Sequence, residues 1–208
     1  MAHSTVDDRD RWNARYAAGS HGRATGPLPF LEQHLHLLKK GRALDLAMGA
    51  GRNAVYLAAN GFRVTGVDIS EEALRRARAL ARERGVEIEM FAADLECYAP
   101  PAESYDLVVC AYYLQRSLFP RIRQALRPGG VAVVETYSVD HLRHHPDFPR
   151  RYVLEPGELL GALGPMRILR YQDVDEGGAA YASVLARKDA LQAGAAVSES
   201  RNSAIRSK

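Results

Sequence analysis

From residue 42 onward the chain alternates two hydrophobic rhythms. Runs at 42–46, 62–67, 86–92, 105–111 and 131–134 are short and largely apolar. Between them, apolar residues recur every three or four positions. The first rhythm suits parallel strands covered on both faces, the second helices with one buried side. Helical spacing over 51–60 rests on Val55, Leu57 and Ala58, over 70–84 on Leu74, Ala77 and Ala81, and over 117–126 on Leu118, Ile122, Ala125 and Leu126. Gly61 and Gly85 follow the first two as stop signals. Ser70 is placed to cap the second helix, and Glu71 and Glu72 sit in its first turn, where the helix dipole favours acids. Residues 95–104 are too short and proline-rich for a helix, and Pro128-Gly129-Gly130 reads as a turn. Two last strand-like runs, 168–174 and 180–186, flank Asp175-Glu176-Gly177-Gly178 and predict an antiparallel hairpin.

This order predicts an α/β fold. Its sheet is Rossmann-like, seven-stranded and mostly parallel, with an antiparallel C-terminal hairpin strand and helices on both faces. Residues 1–40 read as N-terminal lid helices, 41–188 as the α/β domain and 138–155 as an insertion covering substrate. Residues 189–208 read as a disordered tail, because Leu191, Val197 and Ile205 are too few large apolar groups to offset its ordering entropy.

Composition narrows the classes. The chain has 208 residues, 47% hydrophobic and 25% charged, which fits one domain that needs no disulfides. Cys97 and Cys110 form no framework or metal pattern, so a reducing, cytoplasmic location is expected. No apolar run approaches the ~18 residues of a membrane span, and the first residues lack a signal core. A net charge of +3 argues for nucleic acid only if the positives cluster on one face. Arg75, Arg76, Arg78, Arg82 and Arg84 do share a helix, but Glu71, Glu72 and Glu83 offset them.

Ligands in such sheets sit beyond the carboxyl ends of the strands. The first end reads Asp45-Leu46-Ala47-Met48-Gly49-Ala50-Gly51-Arg52-Asn53, whose small residues permit a tight turn and close approach. An ordinary strand-to-helix turn has the same composition. Asp68 ends the second strand, where a carboxylate can accept from two ribose hydroxyls; Asp94 ends the third, where it can accept from an adenine amino group with Leu95 against the ring. Three consecutive strand ends suited to parts of one nucleoside outweigh any single motif.

These residues, with Gly66-Val67-Asp68-Ile69-Ser70, Ala93-Asp94-Leu95-Glu96, Tyr105-Asp106-Leu107-Val108-Val109 and Leu126-Arg127-Pro128-Gly129-Gly130, resemble the class I S-adenosylmethionine-dependent methyltransferases over about residues 9–188. Trp12-Asn13-Ala14-Arg15-Tyr16, Gly51-Arg52-Asn53-Ala54-Val55-Tyr56-Leu57-Ala58 and Pro156-Gly157-Glu158-Leu159 are similar to the tellurite-resistance methyltransferase group. Ala47 departs from the glycine usual at the first loop position, which implies a slightly altered loop. The resemblance implies S-adenosylmethionine as cofactor and S-adenosylhomocysteine as product. It assigns Asp45 to the cofactor's amino end, with Ala47, Gly49, Gly51 and Asn53 in its loop. Asp68 and Ile69 fall to the ribose side, Asp94 and Leu95 to adenine, and Cys110 and Ala111 to the methionine part. Arg15 and Tyr16 would close a lid, Arg15 on the carboxylate and Tyr16 near the sulfonium. Trp12 and Tyr16, spaced i and i+4, would equally serve as a staple on the body.

Gly49 to Ala54 also fits the dinucleotide spacing G-x-G-x-x-G/A. The hairpin, the Leu-Arg-Pro-Gly-Gly run and the chain length favour the methyltransferase. In-line displacement from a sulfonium mainly needs positioning and desolvation, and a base only for a protonated acceptor. Tyr16, Tyr113 and Glu135 are the candidate catalytic residues, with Tyr112, Gln115, Thr136 and Tyr137 on the same rim. His141, His144, His145 and Asp147 lack a metal-ligand spacing, so no metal is expected. A small-molecule acceptor is expected; Arg116, Arg121, Arg123, Arg127, Arg143, Arg150 and Arg151 would suit an anionic one, or simply a solvated surface. A cofactor-binding regulator without turnover and an RNA methyltransferase are the other readings.

Overall fold

The computed structural model describes residues 5–19 and 26–189. From residue 190 on, the expected tail lies outside them. An N-terminal helix α1 (Thr5–Ala17) and a short helix α2 (Pro29–Gln33) precede the body. There follow β1 (Arg42–Leu46), α3 (Arg52–Ala59), β2 (Arg63–Asp68), α4 (Glu71–Glu83) and β3 (Glu89–Ala92). The second half holds β4 (Tyr105–Ala111), α5 (Leu118–Ala125), β5 (Leu126–Tyr137), α6 (His141–His144), α7 (Glu158–Leu163), β6 (Arg167–Glu176) and β7 (Ala179–Arg187). The seven strands form one sheet in the order β3-β2-β1-β4-β5-β7-β6. β1 to β5 pair in parallel, and β7 runs antiparallel to both β5 and β6.

Alternation along each strand divides the core. Leu44, Leu46, Val108, Cys110, Ala132 and Val134 pack on one face, with Leu118 and Ile122 of α5 and Leu159 and Leu163 of α7. Ala43, Leu107, Val109, Val131, Val133 and Leu185 pack on the other, with Phe30, Leu31, Leu57 and Leu74 from α2, α3 and α4. Each fully buried Leu or Val contributes about 1.5–3 kcal/mol.

Three elements differ from the sequence pattern. The strand expected over 86–92 begins only at Glu89, because it pairs solely with β2 and its register starts at Thr65 opposite Glu89. Pro128-Gly129-Gly130 lies inside β5, not in a turn, at an irregular pairing with β4. Proline is tolerated in such a bulge; Gly129 N–H donates to Lys188 O, and Lys188 N–H returns to Gly130 O. Helix α7 was not anticipated, its periodic segment being under two turns. The hairpin formed as expected: Glu176 faces Ala179 across Gly177 and Gly178, both with positive φ, as a two-residue I′ turn requires.

Candidate active site

The loop after β1 is built by three residues in the left-handed region, Ala47 (φ 53°), Gly49 (φ 56°) and Gly51 (φ 86°). Their surroundings differ. A Cβ at Gly51 would lie 2.8 Å from the Ala77 methyl, so this glycine lets α3 start close against α4. A Cβ at Gly49 would run into the Tyr16 hydroxyl, so here the bare backbone faces α1. Ala47 holds the position usual for glycine at a backbone cost of about 1–2 kcal/mol. Met48 anchors the loop, its N–H donating to Val67 O and its sulfur filling the space a Cβ on Gly66 would take.

Two buried acids flank this loop. Asp68 accepts N–H bonds from Gly49 and Ser70, both at 2.8 Å. Burial raises its pKa, opposed by bonds from Ser70, Gly49 and Ile69 N–H. Asp45, at 1% exposure, is pushed up to about 7 by burial, against the pull of Arg52 and a bond from Ala54 N–H. Its Oδ2 has no hydrogen-bond partner. An unmade bond on a buried carboxylate is costly, so this atom calls for a donor from outside the chain.

The other predicted cofactor residues are placed as follows. Asp94 is half-buried and accepts from Glu96 N–H at 2.8 Å, beside buried Leu95. Ile69 and Ala111 are half-buried at the same strand ends. Cys110 is buried, its thiol pushed up to about 12 by burial and by neighbouring Asp45. Asn53 accepts from Leu28 N–H at 2.8 Å, which ties the segment before α2 onto α3.

Helix α1 lies across the loop. Tyr16 is buried, and burial, then Asp68, raises its pKa well above the ordinary phenol. Arg15 stacks on Trp12, with 5.1 Å from guanidinium to ring centroid, and Trp12 meets Tyr16 at 6.3 Å. Trp12 and Tyr16 thus touch along α1, and Tyr16 reaches the body at Gly49. Asn13, quoted above only within the Trp12–Tyr16 motif and given no role, accepts at Oδ1 from Ser70 Oγ at 2.8 Å and Glu72 N–H at 3.2 Å. Ser70 Oγ in turn accepts from Ala73 N–H, so α1 is fastened to the α4 cap.

A second polar group sits at the carboxyl end of β5. Glu135, 2% exposed, accepts from Ser183 Oγ at 2.6 Å and from the Tyr112 hydroxyl, and Gln172 donates to Ser183 at 3.1 Å. Burial raises the Glu135 pKa, and Arg52 opposes this. The Arg52 guanidinium lies 5.6 Å from the Tyr112 ring centroid, and it also acts on Asp45. It therefore links the two buried acids. Tyr112 adopts φ 56°, uncommon for a bulky side chain, and its N–H donates to Glu135 O at 2.7 Å.

Of the three candidate catalytic residues, Tyr16 and Glu135 are both acted on by Arg52. Tyr16 stands over Gly49, and Tyr113 packs against the opposite core and donates to Gln115 at 2.9 Å. Tyr112 takes the place beside Glu135. In the 138–155 insertion, His141 stacks on Tyr137 at 4.0 Å and meets Phe148 at 5.1 Å. Among the described residues no cluster of three or more His, Cys, Asp or Glu is placed to hold a metal ion. Most arginines of this half hold structure: Arg116 bonds Glu158, Arg151 O and Val153 O, and Arg121 bonds the carbonyls of Leu95, Glu96 and Tyr98. Arg127, Arg143 and Arg150 pair with Asp106, Asp140 and Glu155.

Residues 43–130 match the family model of a methyltransferase domain. The ubiquinone biosynthesis O-methyltransferase of Idiomarina loihiensis is 34% identical over 118 residues, 53% of this chain and 48% of that protein. The ribosomal protein L11 methyltransferase of Thermus thermophilus is 36% identical over 121 residues, 57% of this chain and 46% of that protein. The chain spans about half the length of the curated relatives it matches. The fold is like that of TehB from Haemophilus influenzae, with a TM-score of 0.68 at 21% identity, covering 87% of this chain and 67% of that one. It is also like magnesium protoporphyrin IX methyltransferase from Synechocystis PCC 6803, with a TM-score of 0.66 at 17% identity, covering 89% and 99%. Among the described residues no helix is long and apolar enough to cross a membrane.

Proposed function

We propose, on the premise that residues 43–130 are a class I S-adenosylmethionine-dependent methyltransferase domain, that the chain methylates a small-molecule acceptor. The observation that carries the reading is the buried, unpartnered Oδ2 of Asp45 at the end of β1. A buried carboxylate with a free lone pair suits a cationic N–H donor, which is what the amino end of S-adenosylmethionine offers. Bound there, the cofactor supplies an activated methyl group on sulfur.

The chain's own residues then have defined tasks. Asp45 holds the ammonium and Arg15 meets the carboxylate. Asp68 faces the ribose; its carboxylate already takes three N–H bonds, so binding a diol loosens at least one, and the Gly49 bond, in the loop, is the one able to give. Asp94, Leu95 and Ile69 flank adenine, with Cys110 and Ala111 as the wall beside the methionine part. Tyr16 shuts the loop from water. Glu135 is the candidate proton acceptor on the acceptor side, with Tyr112 on its carboxylate in place of Tyr113.

The two relatives quoted have names with different acceptors, an O-methyl acceptor and a ribosomal protein, at similar identity. That supports assigning donor binding to the shared segment and acceptor choice to 131–188. The N-terminal Trp12–Tyr16 motif is the ground for proposing a place near the tellurite-resistance group; the likeness to TehB speaks for the fold.

The test is mass spectrometry after incubation of the protein with methyl-labelled S-adenosylmethionine and cell extract. Label in a small product, abolished by Asp68→Ala, is expected. Label only in macromolecules, or bound donor with no product, would refute a small-molecule methyltransferase.

A further inference from the structure

At the other end of the sheet, roughly 17 Å from the donor loop by strand rise, lies an open groove of about 970 Å³. It runs between the second half of α4, the starts of β1 and β2, and the edge strand β3. Its floor is apolar, with Phe62, Val64, Ile88 and Met90. Five arginines line it against two glutamates, Glu87 and Glu89, and Glu89 already accepts from the Thr65 hydroxyl at 3.1 Å.

The structure separates arginines that the sequence groups together. Arg75 and Arg76 pair with Glu72, and Arg84 with Glu83. Arg78 and Arg82 face the groove instead, one helical turn apart, and are joined there by Arg42 and Arg63, which are register partners at the starts of β1 and β2. No carboxylate among the described residues pairs with any of these four. Arg127, the fifth, is held by Asp106. Arg78 and Arg82 start one helical turn apart (~5.4 Å), and Arg42 and Arg63 one strand spacing apart (~4.8 Å); Arg82 Nε also donates to Arg78 O at 3.2 Å and the Arg42 guanidinium lies 5.6 Å from the Tyr105 ring centroid, and the remaining N–H donors carry no carboxylate. Successive phosphates of an extended strand are spaced on a similar scale.

We propose that this groove binds the phosphodiester backbone of a single-stranded nucleic acid. A flat lipid surface is disfavoured because the charges lie along a groove, and the large apolar side chain exposed among the described residues, Tyr112, is at the other end of the sheet. The groove has no exposed aromatic side chain, so bases do not stack there and binding is independent of sequence.

The test is fluorescence anisotropy of the full chain with a labelled oligouridylate of roughly twelve nucleotides, titrated across salt. Four phosphates neutralised on a single strand give a slope of log K against log salt of about −3. Arg78→Ala/Arg82→Ala is expected to bring it to about −1.4. Arg75→Ala/Arg76→Ala, on the same helix but outside the groove, leaves it near −3. Oligodeoxythymidylate bound equally well supports recognition of phosphodiester alone; weaker binding of the DNA supports an added ribose contact. No binding at about 50 mM salt overturns the proposal. So does a slope that responds equally to both double variants or to neither, or tighter binding of polyglutamate or phosphatidylglycerol vesicles. These readouts are independent of methyl-donor binding.

Discussion

Asp45→Asn separates the stability of the ligand-free protein from its donor binding. A carboxyl whose pKa rises from 3.8 to about 7 on burial destabilises the fold wherever it must ionise. The sign follows from linkage. The folded pKa lies above the unfolded one, so the penalty is absent below about pH 4, grows as pH rises, and is complete above about pH 7. At 1.36 kcal/mol per pKa unit it amounts to about 2 kcal/mol at pH 5 and about 4 kcal/mol at pH 8. Asparagine keeps an oxygen for the Ala54 N–H but sets an NH₂ where Oδ2 had no partner, at a pH-independent cost of about 1–3 kcal/mol. Urea unfolding of both proteins without ligand measures the difference. Relative to wild type, Asp45→Asn should gain about 2–3 kcal/mol between pH 5 and pH 8, while losing affinity for the donor. Stability curves that run parallel across that range would refute the assignment of a strained, ionisable carboxylate at this position.

Three further substitutions probe the frame of the site. Ala47→Gly relieves a positive φ of 53° but adds freedom to the unfolded chain, for a net gain of about 0.5–1 kcal/mol, read calorimetrically as a melting midpoint about 2 °C higher. Asn13→Ala removes two bonds between α1 and the α4 cap and should cost about 1–2 kcal/mol in urea unfolding, with faster amide exchange in α1. Gly66→Ala drives a methyl group into the Met48 sulfur and should cost about 1–3 kcal/mol, with weakened donor binding because Met48 anchors the loop.

Local signals carried much of the fold. The bounds of β1 and β4, the Ser70 cap and the two-glycine hairpin each depend on a few adjacent residues, and each was legible. Contacts that join distant segments were not: Asn13 with Ser70 spans 57 positions and Asn53 with Leu28 spans 25, and no periodicity encodes them. The Tyr112–Tyr113 exchange has a specific cause. Strand alternation in β4 puts Val109 and Ala111 on one face and Cys110 on the other, which would place Tyr113 with Ala111. The left-handed turn at Tyr112 reverses that order, and no glycine marks it. Arg52 went unassigned because its importance lies in reaching both Asp45 and Glu135, which belong to strands 90 residues apart by number but on the same face of the sheet.

The central claim is that the donor's ammonium meets the Asp45 carboxylate. Calorimetry with S-adenosylhomocysteine in buffers of different ionisation enthalpy counts the protons exchanged on binding. With the Asp45 pKa raised to about 7 in the free protein, binding should release most of a proton at pH 6 and little at pH 8, and Asp45→Asn should release none. Binding without proton release at pH 6, or the same release from Asp45→Asn, would contradict it.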